Sequence, residues 1–438
     1  MSEKEKIYIT GHKNPDMDSI CSAYAYSVLK NKIDPAYEYV PVRPGHLSDS
    51  SKAILKALDI TPPVYMRNVY PKVSDVMLKP SEKIEAGMPL TAIAKTYKDS
   101  NPSVIPIYEN GEFLGLLSVD DITHWFMGKL ADEGKISETP VIKMLLREKE
   151  TPLLTTDLFE DAKLSLSSSK KRGLAVFDED EFAGFVTRRC FLKAPSYKVI
   201  MVDHNESRQS ISGIESATVV EIVDHHRLDA TKTNLPIFID TEPLGSTCTI
   251  VYQMFLRNNI VPDEYTARVM LTGLISDTLI LKSPTTTAVD RETAAALAKI
   301  CKVDIDAFGR EMFSHVESLA TRNPEKAILS DFKRYTEKGV MMGIGQCEVT
   351  TLDDIEDYKA TYLSTLENVR EKNGLNWAAV MITNVLKEHS ILITTGFKAE
   401  KYLPYTKLED KVFDMPGVMS RKKQLLPEML YALNTVAY

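Results

Sequence analysis

Cysteine is scarce in this 438-residue chain: Cys21, Cys190, Cys248, Cys301 and Cys347 are scattered, with no CxxC pair. The odd count and wide spacing argue against a disulfide framework and a zinc ribbon, and fit a reducing compartment. A basic excess is also lacking, since 53 Lys and Arg face 61 Asp and Glu for a formal charge of −8. A general grip on nucleic acid or anionic membrane needs the opposite balance, so neither is an expected partner. No apolar run approaches the length of a membrane span, and the charged opening MSEKEKIYIT carries no signal-peptide core. The expectation is a soluble, cytoplasmic protein. Its 44% apolar and 26% charged residues leave no room for a largely disordered chain. The length predicts roughly two to four domains.

Three apolar runs share one grammar. IYIT is followed by Gly11 and His12, VIMV by Asp203 and His204, and EIV by Asp224, His225 and His226. Each reads as a buried strand that stops at charge. With the helical patterns SICSAYAYSVL, STCTIVYQMF and ARVMLTGLI between and after them, they predict an α/β domain with a mostly parallel sheet, built from residues 1–63 and 196–305. The carboxyl ends of such strands form the ligand edge.

The segment between, residues 64–195, contains an internal repeat. EFLGLLS at 112–118 recurs as EFAGFVT at 181–187, each after a short strand (VIPIY, LAVF) and a tight turn (ENG, DED). That is a hairpin in each copy, expected to lead into a helix, so two stacked α+β modules over 64–130 and 131–195 are predicted as an insert. Residues 306–438 read as a separate α/β domain, with MMGIGQCEV and AAVMITNVL as strands and LDDIEDYKATYLSTLENVREK as a long helix.

Collected, the strand-end residues are His12, Asp16, Asp18, Asp203, His204, Asp224, His225 and His226, joined by Asp277 in LISDTLIL. An isolated Asp-His dipeptide is usually a turn or a helix cap, and capping is a real competitor for Asp18 ahead of its helix. Three such strand ends in one domain favour a shared site. Imidazoles mixed with carboxylates and no thiolate suit Mn²⁺ or Co²⁺, and that many carboxylates on one edge would repel unless cations lay between them.

In this order GHKNPDMDS, VDHNE, VDHHR, SDT and SRKKQ resemble the family II inorganic pyrophosphatases of the DHH phosphoesterase superfamily. The resemblance covers both segments that flank the insert, and it implies a DHHA2-type C-terminal domain. It further implies one metal held by His12, Asp16 and Asp203 and another by Asp18, Asp203, His225 and Asp277, with Asp203 bridging. Two Mn²⁺ or Co²⁺ ions per site are implied, with Mg²⁺ accompanying the substrate pyrophosphate. Lys333 in DFKRY and Arg421 and Lys422 in SRKKQ match the family's phosphate clamp, and His226 is the implied proton donor. His204, Asn205, Glu206 and Asp224 would orient the ligands from behind.

The repeat resembles a CBS domain pair, with VSDVM opening the first copy. That family implies an adenine nucleotide (AMP, ADP or ATP) as regulator, with Ser or Thr toward phosphate and Asp on the ribose. Ser103, Ser118 and Asp121 supply this in the first copy. In the second, Thr187 remains but Cys190 stands at the Asp position, and Arg188 and Arg189 could meet phosphate instead. A homodimer through these modules is implied.

The nearest rival is a DHH phosphodiesterase or exopolyphosphatase. Such relatives carry a glycine-rich GGGH-type motif that this sequence lacks, whereas SRKKQ is present. A rival of another class is a non-catalytic adenylate sensor, against which the complete set of ligand-type residues argues.

Overall fold

The computed structural model describes residues 4–436 other than 81, 130–139, 146–150, 230, 231, 234, 316–318, 321 and 386, and leaves aside the side chains of 129, 143 and 144. The chain divides into two compact units, residues 1–69 with 198–438, and residues 70–197.

The first unit contains the expected parallel sheet. Its strand order is Phe238–Thr241, Thr218–Asp224, Lys198–Val202, Lys6–Thr10, Glu38–Arg43 and Val64–Tyr65, and every pairing is parallel. The Val/Ile runs form strands because both faces are covered: Ile9, Ile200 and Val202 are wholly buried, each worth about 1.5–3 kcal/mol of apolar burial. From Lys6–Thr10 the chain steps outward on one side, then restarts on the other flank with Lys198–Val202. The order reverses between these two strands, where open α/β sheets bind ligands.

Helices Met17–Ile33, Thr247–Arg257 and Glu264–Asp277 pack around this sheet within one buried core. Each begins at a polar N-cap that the sequence supplies, respectively Asp16, Ser246 and Asp263. Each cap satisfies backbone N–H groups that the helix itself leaves unpaired, for about 1 kcal/mol apiece.

The C-terminal part carries a second six-stranded sheet in the order Phe332–Glu337, Val340–Val349, Trp377–Asn384, His389–Thr394, Val412–Pro416 and Thr406–Glu409. Only Val340–Val349 and Trp377–Asn384 run parallel, and helix Ile355–Lys372 makes the crossover that parallel pairing requires. Both strands and the helix follow the sequence reading. The other four strands do not, because segments such as FKRYTE mix charge into the strand.

Two expected boundaries shift. Val64 and Tyr65, assigned to the insert, pair with Val42 and Arg43 as the edge strand of the parallel sheet. Helix Ile305–Ser314, assigned almost wholly to the C-terminal domain, buries Phe308, Met312 and Phe313 in the core of the parallel-sheet domain.

In the second unit both copies have the same plan: a two-residue strand, a helix and a hairpin, Val104–Glu109 with Glu112–Ser118 and Gly173–Asp178 with Glu181–Thr187. Even the bulge recurs, between Ile107 and Tyr108 and between Val176 and Phe177. Across the copies Phe113 stacks on Phe182 at 3.8 Å. VSDVM, expected to open the first copy, belongs to the second: Val73 lies in the second copy's core, and Leu78 exchanges backbone hydrogen bonds with Phe185. Val141 and Leu145 in turn lie in the core of the first copy. The repeated glycine makes room for these exchanged segments, since a Cβ at Gly184 would lie 2.5 Å from the Leu78 carbonyl oxygen and one at Gly115 would lie 3.1 Å from Leu145.

The copies differ at their ends. The first runs into helix Val119–Lys129, while the second, expected to be helical too, makes only the short turn Arg188–Phe191. Pro195 disfavours helix at the residue before it, and the chain must enter strand Lys198–Val202 soon after.

Candidate metal and phosphate site

The strand reversal brings His12 and Asp203 together. His12 Nε2 stands 3.2 Å from Asp16 Oδ2 and 3.4 Å from Asp203 Oδ2. On the other side of the same carboxylate, Asp203 Oδ1 is 3.4 Å from His225 Nε2, which is also 3.4 Å from Asp277 Oδ2. Three sets therefore have ligand atoms close enough to share an ion: His12, Asp16 and Asp203; Asp18, His225 and Asp277; and Asp203, His225 and His226.

Local backbone chemistry sets each group. Asp16, not Asp18, caps helix Met17–Ile33: its Oδ1 accepts from Ser19 N–H at 2.9 Å, which leaves Oδ2 for His12. Asp18, only 1% exposed, faces the start of another helix, accepting from Thr247 N–H (2.6 Å), Cys248 N–H (3.1 Å) and Ser246 Oγ (2.6 Å). The positive end of that helix favours the carboxylate. Asp203 has a φ of +60°, a left-handed conformation that Asp tolerates better than most residues. Its Oδ1 accepts from Thr247 Oγ1, and its buried Oδ2 makes no hydrogen bond among the described residues.

Asp277 ends its helix. Leu279, Ile280 and Leu281 follow at φ +50°, +57° and +61°, a left-handed turn costing roughly 1–2 kcal/mol per residue. Burial of Leu279 and Ile280 holds it, with Ile280 against Gly309.

Charge follows from this crowding. Burial alone would lower the His12 and His225 pKa values, but the carboxylates of Asp16 and Asp203 raise His12 to about 10, and those of Asp203 and Asp277 raise His225 to about 10. Asp18 is pushed up to about 7 by burial and by Asp203. Desolvation and the carboxylates around it likewise raise Asp277 against the pull of His225. Asp203 goes the other way: burial would raise it, yet His12 and His225 hold it well below the usual carboxylate range. Without cations, the cluster is held together by protons on its imidazoles.

Behind these groups, His225 Nδ1 donates to Leu244 O, which turns Nε2 inward. His226 Nδ1 bonds Asp224 Oδ1 at 2.8 Å, and Asn205 Nδ2 donates to Asp224 Oδ2 at 2.5 Å. His204 is kept neutral by burial, with its pKa lowered to about 4; Nδ1 donates to Val202 O and the buried Nε2 has no partner among the described residues. Among the described residues the Glu206 carboxylate reaches Arg227 alone, at 4.0 Å.

The basic residues of the C-terminal part face the cluster across a cavity of about 1050 Å³, lined by His12, Asp16 and Asp277 and by Lys333, Arg421 and Lys422. Lys333 Nζ donates to Gln209 Oε1 at 2.8 Å, a neutral acceptor that orients the ammonium without cancelling its charge. Arg421 is 8% exposed and pairs with Asp331 Oδ2 at 2.9 Å, while its Nε is buried with no partner among the described residues. Burial lowers the Lys422 pKa against the pull of Asp277, Asp224 and Asp203. The flanks of SRKKQ shape the loop: Ser420 Oγ accepts from Lys423 N–H, and Gln424 Oε1 accepts from the N–H groups of Met419 and Ser420.

Several groups here escaped the sequence reading. In sequence Ser246 and Thr247 show only as the start of a helix, and Asp331 only as a neighbour of Lys333. Gln209 and Gln346, which accepts from Arg421 N–H, carry no local signal.

In the second unit the nucleotide candidates are tied into local structure. Ser118 N–H and Oγ both donate to Asp121 Oδ2, at 2.7 and 2.6 Å, and Asp121 N–H donates to Ser118 Oγ, a capping box at the start of Val119–Lys129. Thr187 and Cys190 make the weaker sulfur version. Arg188, considered for phosphate, donates instead to the carbonyls of Lys171, Ser169 and Leu166. Arg189 is exposed and Ser103 half-buried.

Comparison with known proteins fits this arrangement. Residues 6–274 match the DHH family, N-terminal domain, and residues 310–432 match the DHHA2 domain. The cobalt-dependent inorganic pyrophosphatase of Clostridium perfringens is 29% identical, over 99% of both chains. The manganese-dependent inorganic pyrophosphatase of Methanothrix thermoacetophila is 35% identical over 240 residues, 54% of this chain and 77% of that protein. A solved Methanococcus jannaschii chain assigned to the family II inorganic pyrophosphatases shares the fold, with a TM-score of 0.61 at 22% identity over 98% of this chain and 99% of that one. The protein with the parallel-sheet cluster and the facing basic loop therefore belongs to the DHH family, among the inorganic pyrophosphatases that join a DHH to a DHHA2 domain.

Proposed function

We propose that this protein hydrolyses inorganic pyrophosphate to two phosphates at a pair of divalent cations, and that adenine nucleotides bound by the inserted unit regulate it. One cation is assigned to His12, Asp16 and Asp203 and the other to Asp18, Asp203, His225 and Asp277, with Mn²⁺ or Co²⁺ resident and Mg²⁺ arriving with substrate. The observation that carries the reading is Asp203, buried between two imidazoles, with one oxygen toward each ligand set.

When bound, such a cation pair supplies an activated water and neutralises charge on phosphorus oxygens. The protein's own groups do the rest. Leu244 O fixes the His225 ring so that Nε2 faces the cluster. Asp224 holds His226 by Nδ1 against the burial and the His225 charge that lower its pKa, so that the His226 imidazolium would give its Nε2 proton to the departing phosphate. Behind the cluster Asn205 holds Asp224, which in turn fixes His226; His204 and Glu206 make no hydrogen bond to a ligand residue among the described residues. Arg421, Lys422 and Lys333 bind the phosphate oxygens, the guanidinium as a planar fork and the ammonium groups as point charges.

The inserted unit is assigned as a tandem CBS pair. Its cleft would take one adenine nucleotide near Ser103, Ser118, Asp121, Thr187 and Arg189, and the pair would join two chains in a homodimer. A cytoplasmic location accords with the composition; among the described residues no helix is long and apolar enough to cross a membrane. The test is phosphate release from pyrophosphate by Mn²⁺-loaded protein, with and without AMP, against release from a dinucleotide. Rapid release from pyrophosphate that AMP alters is expected. Preference for the dinucleotide, or AMP binding with no release from pyrophosphate, would overturn the reading.

A further inference from the structure

Gly273 sits in the middle of helix Glu264–Asp277, where alanine is the better helix former. It lies one turn before Asp277 and shares its face of the helix. A Cβ at this position would come 2.6 Å from Cys248 Sγ, 3.0 Å from Cys21 Cβ and 3.1 Å from Asp18 Oδ1. These atoms belong to two other helices, Met17–Ile33 and Thr247–Arg257. Three helices thus meet at the one residue that lacks a side chain, and Asp18 and Asp277 reach the same ligand set. The carboxylate oxygen that the missing Cβ would meet, Asp18 Oδ1, is also the one that Ser246 Oγ and Cys248 N–H hold.

We infer that Gly273 is a positioning residue: its bare backbone sets the approach of Asp18 to Asp277 and so tunes the cation site of Asp18, His225 and Asp277, leaving that of His12, Asp16 and Asp203 alone. The inference rests on the two-cation reading above. There is little room to relax. Cys21 and Cys248 are wholly buried, and the strained turn at Leu279–Leu281 fixes the far end of the helix. A methyl group at 273 must therefore displace Cys248, whose N–H holds Asp18 Oδ1, or the Asp18 carboxylate itself.

Titration of metal-free protein with Mn²⁺ alone, followed by calorimetry and electron paramagnetic resonance, tests this in Gly273→Ala. Wild type should take two ions per chain. The variant should keep one within about twofold of its normal affinity, bind the other roughly 10–100-fold more weakly, as loss of an orienting group does, and give the spectrum of an isolated ion at one equivalent. The thermal unfolding temperature of the metal-free variant should fall, as crowding a packed core does, but a merely structural glycine would weaken both ions alike rather than one. Gly273→Ala with Cys248→Ala, which removes the closest obstructing atom, should recover most of the lost affinity; it carries the test alone if the single variant does not fold. Two normally bound ions in Gly273→Ala, or equal weakening of both in either variant, would overturn the positioning role while leaving the two-cation reading intact. Failure of wild type to bind two ions would overturn that reading and this inference together.

Discussion

Asp203 and Asp121 are both buried carboxylates beside a hydroxyl, yet they differ in what is left over. In the inserted unit Asp121 Oδ2 takes both hydrogen bonds that Ser118 offers, and the group starts a helix. In the parallel-sheet domain Asp203 takes one bond from Thr247 and keeps a buried oxygen with no hydrogen bond among the described residues, between two imidazoles. Asp290 behaves like Asp121: its oxygens accept from Gly245, Thr287 and Thr249. The arginines divide the same way. Arg188 is occupied by three carbonyls, whereas Arg421 is buried with Nε unpartnered among the described residues and lines the cavity. Buried polar groups are normally satisfied, so capacity left over in one cleft points to a ligand.

Asp203→Ala should break the comparison most severely. Removing the group between both ligand sets should weaken both cations by more than the roughly 100-fold that an orienting partner costs, and abolish phosphate release. Loss of one cation alone, read by Mn²⁺ titration, would contradict the bridging role.

The protons on the metal-free cluster give the next effect. His12 and His225 have pKa values raised from 6.5 to about 10. Their contribution to the stability of metal-free protein is fully present below pH 6.5 and is lost as pH rises through about 10. Cations must displace those protons, so Mn²⁺ affinity should rise over the same window and binding should release protons. Calorimetry in buffers of different ionisation enthalpy measures that release. Uptake with no proton release would contradict it.

Arg421→Lys keeps the charge and removes the fork. A lost charge-assisted hydrogen bond is worth about 1.5–3 kcal/mol, so kcat/KM for pyrophosphate should fall roughly 10- to 150-fold, with metal binding unchanged. Arg188→Lys should leave kcat/KM where it is.

The smallest effects belong to the insert. Asp121→Ala should cost about 1 kcal/mol of the unit's stability as a lost cap, weaken AMP binding, and leave turnover without nucleotide in place. An AMP response unchanged from wild type would make Asp121 a cap only. Cys190→Asp should rebuild the box in the second copy and gain up to about 1 kcal/mol, read by thermal unfolding.

Much of the parallel-sheet domain is legible in sequence, because strands covered on both faces are mainly apolar and stop where the charge begins, as at Thr10, Val202 and Asp224. The repeat shows through EFLG and EFAG because each glycine must admit a crossing segment. That the crossing segment comes from the opposite copy leaves no local trace. The C-terminal sheet was half hidden for the opposite reason: strand Thr406–Glu409 is exposed along its length and has no apolar pattern to read. The acids of the cluster could be read as a set, but which oxygen each would leave over depends on distant partners. Asp18 meets Thr247, 229 residues away, and no spacing rule reaches that far.

Diffraction from crystals grown with Mn²⁺, recorded at the manganese absorption edge, tests the central claim most directly. Two anomalous peaks are predicted, one among His12, Asp16 and Asp203 and one among Asp18, His225 and Asp277, with one Asp203 oxygen turned to each. A single peak, or two that do not share Asp203, would contradict it.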